Sequence, residues 1–276
     1  MSLLGASEIR ELAAALDLKP AKSLGQNFVH DGNVCRKIVR TAGLTSSDIA
    51  LEIGPGLGSL TLAMLEEAQS VIAVEIDARL AGALAATAAK HSDRADVLTV
   101  INQDALTLKS LPVAPTVLIA NLPYNVSVPV FLHLLEIFPS LRSGVVMVQA
   151  EVADRLAAKP NSKEYGIPSV KAAWWADVTG AGSVSRSIFW PQPNVDSKLV
   201  AFVRRPTPGD EELRKKVFTI IDLAFAQRRK MLRSALSSLY GGSAAAESHL
   251  TAAGIDPTLR GEALDISAFC AIAKQG

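Results

Sequence analysis

Cysteine and histidine are scarce in this chain, which has two cysteines and four histidines among 276 residues. Cys35 and Cys270 are too few for a disulfide framework or a cluster of metal ligands. The histidines have no metal-ligand spacing either. The sequence therefore predicts no metal site, and we expect each cysteine to be structural.

Long hydrophobic runs are also absent from the sequence. No apolar run reaches the ~18 residues that cross a membrane. Residues 1–11 include Glu8, Arg10 and Glu11 and lack the apolar core of a secretory signal. We expect a cytoplasmic protein with no membrane segment. Hydrophobic residues make up 49% of the chain, which is enough for a sizeable core.

Net charge is low, at +1, so its distribution is more informative than its total. Residues 204–233 contain nine basic residues against four acidic ones. The basic residues are Arg204, Arg205, Arg214, Lys215, Lys216, Arg228, Arg229, Lys230 and Arg233. This segment is a candidate phosphate-binding face, although a run of charges can also be the solvated face of a helix. A second basic set, Arg36, Lys37 and Arg40, lies on a predicted helix after Asp31.

Short apolar runs alternate with helical stretches over residues 48–149, which indicates βαβ units and a mostly parallel sheet. The fold class is therefore α/β and Rossmann-like. A linker at 206–209 follows, and the rest of the chain has helical periodicity with a break at Gly241-Gly242. We expect an α/β domain over 1–205 and a small all-helical domain over 206–276, with helices at 210–225 and 228–239.

A glycine-rich turn follows the first predicted strand in the segment Leu-Glu-Ile-Gly-Pro-Gly-Leu-Gly-Ser-Leu-Thr, residues 51–61. It runs from an apolar strand into an amphipathic helix, with Ser59 as the expected N-cap. Glycines in such a turn let the backbone approach a ligand closely. Several kinds of nucleotide bind such turns, so a dinucleotide remains an alternative at this point.

Acidic residues follow the next two predicted strands. Glu75 lies near the end of the predicted strand at 71–77, about 20 residues after the glycine turn, where α/β folds place the acid that binds ribose hydroxyls. Asp104 follows the run at 97–102 and could accept a hydrogen bond from an adenine amino group. Because parallel strands end at one edge of a sheet, both carboxylates should lie near the glycine turn.

The sequence Asn121-Leu122-Pro123-Tyr124 follows the apolar run at 117–120 and should lie at the same edge of the sheet. The side-chain carbonyl of Asn121 and the backbone carbonyl of Leu122 can accept hydrogen bonds from an exocyclic amino group. The ring of Tyr124 can stack on the base. The segment therefore indicates a planar base with an amino group as the substrate.

Taken in this order, the four motifs resemble those of the class I S-adenosylmethionine-dependent methyltransferases. A dinucleotide-binding enzyme would leave the Asn-Leu-Pro-Tyr segment unexplained. Three further segments, at 22–28, 189–197 and 225–230, resemble the ribosomal RNA adenine dimethyltransferases, and most closely their small-subunit branch. The related large-subunit resistance methylases share the catalytic core.

The resemblance implies S-adenosyl-L-methionine as the cofactor. The cofactor-binding residues it implies are Asn27, Val29, Gly54, Gly56, Glu75, Ile76, Asp104, Ala105 and Asn121. The target adenine would be held by Asn121, Leu122, Pro123, Tyr124 and Phe189, with Phe189 stacking opposite Tyr124. RNA contacts are expected from Arg228, Arg229 and Lys230.

The implied substrate is 16S rRNA in a partly assembled small ribosomal subunit. Two adjacent adenosines near its 3′ end would each be dimethylated at N6 by a monomeric enzyme that takes part in ribosome biogenesis. The sequence departs from the family pattern at Val29, Asn194 and Met231, where Leu, Lys and Thr are common. Two alternatives remain: a non-catalytic assembly factor, and a DNA adenine methyltransferase, for which ~70 residues is a small target-recognition region.

Overall fold

A computed structural model gives the fold and describes residues 2–18 and 27–275. Its elements in chain order are α1 (Ala6–Ala15), β1 (Phe28–Val29), α2 (Gly32–Thr41), β2 (Ile49–Ile53), α3 (Ser59–Leu65), β3 (Ser70–Glu75), α4 (Ala78–His91), β4 (Leu98–Asn102), β5 (Val117–Asn121), α5 (Ser127–Ile137), β6 (Ser143–Gln149), α6 (Ala150–Ala157), α7 (Ile167–Ala172), β7 (Ala176–Val184), β8 (Phe189–Trp190), β9 (Ser197–Arg204), α8 (Glu211–Ala226), α9 (Leu232–Ala235), α10 (Ser237–Tyr240), α11 (Ser243–Ala252) and α12 (Ile266–Ala273).

The chain forms two compact units. The first unit comprises Met1–Ala153 and Thr179–Arg204, and the second comprises Asp154–Val178 and Arg205–Gly276. This division differs from the expected boundary at 205/206, because residues 154–178 group with the C-terminal helices. Within the second unit, Tyr165 donates its hydroxyl hydrogen bond to the carbonyl of Leu264 at 2.8 Å. Such pairing between residues far apart in the sequence has no local signal.

A seven-stranded sheet forms the centre of the first unit, in the order β4-β3-β2-β5-β6-β9-β7. The pairs β2–β3, β3–β4, β2–β5 and β5–β6 are parallel, whereas β9 runs antiparallel to β6. The fold is therefore α/β and Rossmann-like, as predicted. The strand order reverses direction between β2 and β5, and α/β sheets bind their ligands at the carboxyl ends of strands beside such a switch point.

The glycine turn between β2 and α3 depends on backbone conformations that favour glycine. Gly54, Gly56 and Gly58 have φ angles of 68°, 57° and 99°. The predicted N-cap at Ser59 is wrong, because Gly58 occupies that position and Ser59 is already helical. The Ser59 hydroxyl instead donates a hydrogen bond to the carbonyl of Val29 at 2.5 Å. This serine therefore ties the start of α3 to β1.

In the second unit, Asp210 caps α8 by accepting a hydrogen bond from the N–H of Leu213 at 2.9 Å. The predicted helix at 228–239 is wrong: residues 227–230 form a turn, followed by the short helices α9 and α10. The N–H of Leu232 donates to the carbonyl of Leu259 at 2.7 Å, a distant partner that helical periodicity cannot reveal. The expected break is confirmed at Gly241, which ends α10 with a φ of 78°.

Among the helices in the described part of the chain, none has the length and apolar character needed to cross a bilayer.

Candidate active site

A cavity of about 280 Å³ lies in the first unit at the carboxyl ends of β2, β3 and β5. Eleven of the predicted cofactor-binding and base-binding residues line it: Asn27, Val29, Gly54, Gly56, Glu75, Ile76, Asp104, Asn121, Leu122, Pro123 and Tyr124. The sheet therefore brings together the glycine turn, both acids and the Asn-Leu-Pro-Tyr segment. Lys22–Gln26, which belong to the segment at 22–28, lie outside the described residues.

Glu75 connects the glycine turn to the end of β3. Its two carboxylate oxygens accept hydrogen bonds from the backbone N–H groups of Gly56, at 3.1 Å, and Asp77, at 3.0 Å. Burial raises the pKa of Glu75, and these backbone donors partly offset that effect. A carboxylate has about four acceptor positions, so Glu75 can still accept hydrogen bonds from a ligand in the cavity.

An apolar wall of the cavity is formed by Ile76 and Leu106, whose exposed fractions are 60% and 39%. The side-chain amide of Asn102 donates to the carbonyls of Glu75 and Ile76, at 2.8 and 3.1 Å. It thereby holds the backbone that carries Ile76. Asp104 accepts a hydrogen bond from the N–H of Leu106 at 2.9 Å. Exposed apolar side chains beside an acid suit a flat ring with an amino group.

Ala105 and Phe189 are not among the residues that line the cavity in the described structure. Ala105 is buried directly after Asp104. Phe189, 3% exposed, lies in β8 opposite Val29 in β1. The two-stranded β1–β8 sheet thus pairs Phe189 with Val29, which lines the cavity. The stacking role of Phe189 stays a prediction.

Asn121 ends β5, and its side chain is oriented by the backbone. Its amide nitrogen donates a hydrogen bond to the carbonyl of Asn27 at 3.1 Å. This arrangement leaves the side-chain oxygen Oδ1 as the acceptor. The N–H of Leu122 donates to the carbonyl of Met147 at 3.0 Å, which continues the pairing of β5 with β6. The sheet therefore fixes the backbone on both sides of the Asn121 side chain.

Tyr124 lies in a turn that the N–H of Val126 closes by donating to the carbonyl of Pro123 at 3.2 Å. Its hydroxyl is 2.8 Å from Oγ of Ser197, at the start of β9. Burial raises the pKa of Tyr124, so the phenol is neutral at physiological pH. Ser197 belongs to the sequence motif at 189–197 but has no role predicted from sequence, because its partner is 73 residues away.

Glu52 is a lining residue that sequence reasoning did not single out. It is 1% exposed, and burial raises its pKa to about 8. The Thr61 hydroxyl donates to it at 2.5 Å, and the charge of Glu75 favours its protonated form. The available signal was a carboxylate in the middle of an otherwise apolar strand, since buried acids are rare without a partner or a function.

Most of the basic residues at 204–233 have partners within their own unit. Arg214 and Lys215 pair with Glu211, Lys216 with Glu212, Arg233 with Glu247 and Arg205 with Asp177, while Arg204 donates to backbone carbonyls. Arg36 of the second basic set pairs with Glu66. Many of these basic side chains are therefore paired with acidic side chains or backbone carbonyls of the protein itself.

The predicted RNA-binding residues lie in the turn that precedes α9. Arg228 pairs with Glu262 at 2.9 Å and donates to the carbonyl of Lys163 at 2.8 Å. Arg229 and Lys230 are exposed. Over residues 2–18 and 27–275, neither of these two side chains has an ion-pair partner.

The comparisons with known proteins decide the family. The model for the ribosomal RNA adenine dimethylases matches residues 18–275. The chain belongs to this family. Its sequence is 57% identical to the ribosomal RNA small subunit methyltransferase A of Streptomyces avermitilis, over 99% of this chain and 94% of that protein. It is also 57% identical to the protein of that name from Leifsonia xyli, over 100% and 99% of the two chains.

A solved structure gives the fold independently. A dimethyladenosine transferase from Plasmodium falciparum superposes with a TM-score of 0.74 over 89% of this chain and 95% of that one, at 24% sequence identity. The fold is thus that of the class I methyltransferases, and the chain is an enzyme of the adenine dimethylase family. Membership in this family removes the dinucleotide interpretation of the glycine turn.

Proposed function

We propose that this enzyme transfers methyl groups from S-adenosyl-L-methionine to N6 of two adjacent adenosines in a loop near the 3′ end of 16S rRNA. Each adenosine would be dimethylated. The observation that carries this proposal is a cavity lined by the glycine turn and Glu75 as well as by the Asn121–Tyr124 segment. The small-subunit choice rests on relatives that share the whole length of the chain and are named for that subunit.

The donor set of the cavity fits S-adenosylmethionine. Glu75 keeps acceptor capacity for ribose hydroxyls, because a carboxylate has about four acceptor positions and the N–H groups of Gly56 and Asp77 occupy only part of them. Ile76 and Asp104, with the neighbouring Ala105, would enclose the adenine. The glycine turn, Asn27, Val29 and Asn121 would complete the cofactor site. When bound, the cofactor supplies an electrophilic methyl group on a sulfonium.

Adenine N6 is a poor nucleophile because its lone pair is delocalised into the ring. Asn121 Oδ1 and the Leu122 carbonyl would accept both N6 hydrogens and favour a pyramidal nitrogen with a localised lone pair. The orientation of Asn121 toward the Asn27 carbonyl leaves Oδ1 available for this role. Most of the acceleration then comes from orientation and electrostatic complementarity, and the proposal requires no catalytic histidine.

The target base must leave its stack or come from an unpaired loop. Tyr124 would hold one face of the base, with Pro123 shaping the turn and Phe189 on the other face. In the second unit, Arg229 and Lys230, which have no ion-pair partner among the described residues, present positive charge for phosphates, with Arg228 beside them. We further propose that the enzyme is a monomer and acts in the cytoplasm. Its substrate would be the partly assembled small subunit, because the rRNA loop would be exposed there.

Methyl transfer to defined particles tests this function. The protein is incubated with labelled S-adenosylmethionine and small-subunit particles that lack the modification, beside large-subunit particles and duplex DNA, and the product nucleoside is identified by mass. Dimethyladenosine confined to the small-subunit RNA is the expected result. Label in large-subunit RNA or DNA would assign another substrate, and bound cofactor without transfer would favour an assembly factor.

A further inference from the structure

The hydrogen bond between Tyr124 and Ser197 joins a cavity wall to a strand outside that wall. Tyr124 lines the cavity, whereas Ser197 is not among its lining residues. Their oxygens are 2.8 Å apart. Ser197 has no exposed surface, and a fully buried hydroxyl requires a hydrogen-bond partner. Tyr124 is that partner.

Ser197 is held firmly by the sheet. It is the first residue of β9 and lies opposite Gln149 at the end of β6, in a register that continues through seven residue pairs. The carbonyl of the preceding residue, Asp196, accepts a hydrogen bond from the N–H of Ala150 at 2.8 Å. The serine oxygen is therefore a fixed point beside the active site.

The Tyr124 ring is consequently fixed at both ends. Its backbone follows β5 through a closed turn, and its hydroxyl is anchored on β9. A tyrosine held only at Cα can tilt by rotation of its two side-chain torsions. Anchoring at Oη prevents the swing about the first torsion, Cα–Cβ, so the protein sets the position of the ring before any base arrives. Oη lies on the axis of the second torsion, about which the ring can still turn.

We propose that Ser197 is a positioning residue, which holds the Tyr124 ring so that a stacked adenine presents N6 to Asn121 and Leu122. This inference rests on the proposed function. A stacking surface fixed in advance lowers the cost of orienting the reacting nitrogen, and small misplacements of reacting groups reduce rates by up to about a hundredfold. Ser197 acts through Tyr124 and does not contact the substrate.

Two variants break the same bond from opposite sides. Ser197→Ala removes the anchor, and Tyr124→Phe removes the hydroxyl while keeping the stacking ring and the native β9. We expect each to lower kcat for methyl transfer about tenfold, with KM for S-adenosylmethionine unchanged. Because both changes break one interaction, the double variant should be no slower than the slower single variant.

Tyr165→Phe is the matched control. The Tyr165 hydroxyl also donates a buried hydrogen bond, to the Leu264 carbonyl at 2.8 Å, but it lies in the second unit. We expect this variant to lower the melting temperature without changing kcat. If Ser197→Ala and Tyr124→Phe behave in the same way as this control, the proposal is overturned.

A measurement of the first side-chain torsion of Tyr124 separates this inference from the proposed function. The chain has three tyrosines, so three-bond NMR couplings with labelled tyrosine can report this torsion. One rotamer in the wild type and averaging between rotamers in Ser197→Ala are expected, whether or not RNA is methylated. An unaveraged coupling in Ser197→Ala refutes the anchor, while a single rotamer without any methyl transfer by the wild type would instead refute the function.

Discussion

The backbone N–H of Gly56 donates to Oε2 of Glu75 at 3.1 Å, so the turn after β2 and the acid that ends β3 form one structure. Gly56 also lies under the Phe28 ring, since a Cβ at this position would come within 2.9 Å of Phe28 Cδ1. A glycine is therefore required at position 56 for two reasons: its φ is 57°, and the Phe28 ring leaves no room for a Cβ.

Substitution of Gly56 by alanine should weaken both the fold and the cofactor site. A positive φ costs an alanine about 1 kcal/mol relative to glycine, and the Phe28 ring must also move. Gly43→Ala is the matched control, because Gly43 has a φ of 66° but open space where a Cβ would lie. We expect Gly56→Ala to lose more stability than Gly43→Ala and to bind S-adenosylmethionine at least about tenfold more weakly by calorimetry. Equal losses in the two variants would exclude a role for the Phe28 contact.

Asn121→Ala should separate chemistry from binding. Removal of one polar group aimed at the reacting atoms costs roughly 100- to 1,000-fold in kcat in comparable enzyme sites, and we expect a loss of that order in labelled methyl transfer. RNA affinity should stay largely intact, and cofactor affinity should fall far less than kcat, because Asn121 is only one of the residues proposed for the cofactor site. Asn102→Ala is the reciprocal variant, since this amide supports the backbone of Glu75 and Ile76, and it should weaken cofactor binding. Loss of RNA binding by Asn121→Ala would contradict the assigned role.

The sequence predicted most of the sheet because hydrophobic periodicity and strand order are local signals. The predicted strands at 71–77, 97–102 and 117–120 match β3, β4 and β5 closely. Their carboxyl ends do meet, since Glu75, Asp104 and Asn121 line one cavity. The features that were missed depend on distant residues. The hydrogen-bond partner of Ser197, Tyr124, lies 73 positions away in the sequence. The turn before α9 is fixed by a hydrogen bond from Leu232 to the carbonyl of Leu259.

Glu52 gives the enzyme a pH-dependent stability of defined sign. Its pKa in the folded protein is about 8, against an ordinary value of 4.5, because burial disfavours the charge. The folded state therefore binds more protons than the unfolded state between these values. The free energy of unfolding should fall as pH rises through this window, by up to about 1.4 kcal/mol per pH unit from this one group.

Glu52→Gln should remove this dependence, so its stability relative to the wild type should increase from about pH 5 to pH 8 in urea unfolding. Glu8→Gln is a control of opposite sign. Hydrogen bonding to Lys90 lowers the pKa of Glu8, so its stabilising effect is present at neutral pH and is lost only in acid. Parallel stability curves for Glu52→Gln and the wild type over this pH range would show that Glu52 is ionised in the folded protein.

Arg229 and Lys230 should account for the salt dependence of RNA binding, because they are exposed and have no ion-pair partner in the described chain. Each bound phosphate releases counterions, so the double variant Arg229→Ala/Lys230→Ala should reduce the slope of log affinity against log salt by about one for each phosphate that it no longer binds. KM for RNA should rise, and affinity for S-adenosylmethionine should not change.

Lys216→Ala is the matched control for this double variant. Lys216 is also an exposed cation of the second unit, but it pairs with Glu212 at 3.5 Å. Its removal should therefore leave the salt slope unchanged, since its charge is already balanced within α8. If the control and the double variant reduce the slope equally, RNA responds to the net charge of this unit. If only the double variant does so, the turn before α9 binds phosphate, and its departure from the predicted helix has a function: it presents both cations where no acidic neighbour in the described chain neutralises them.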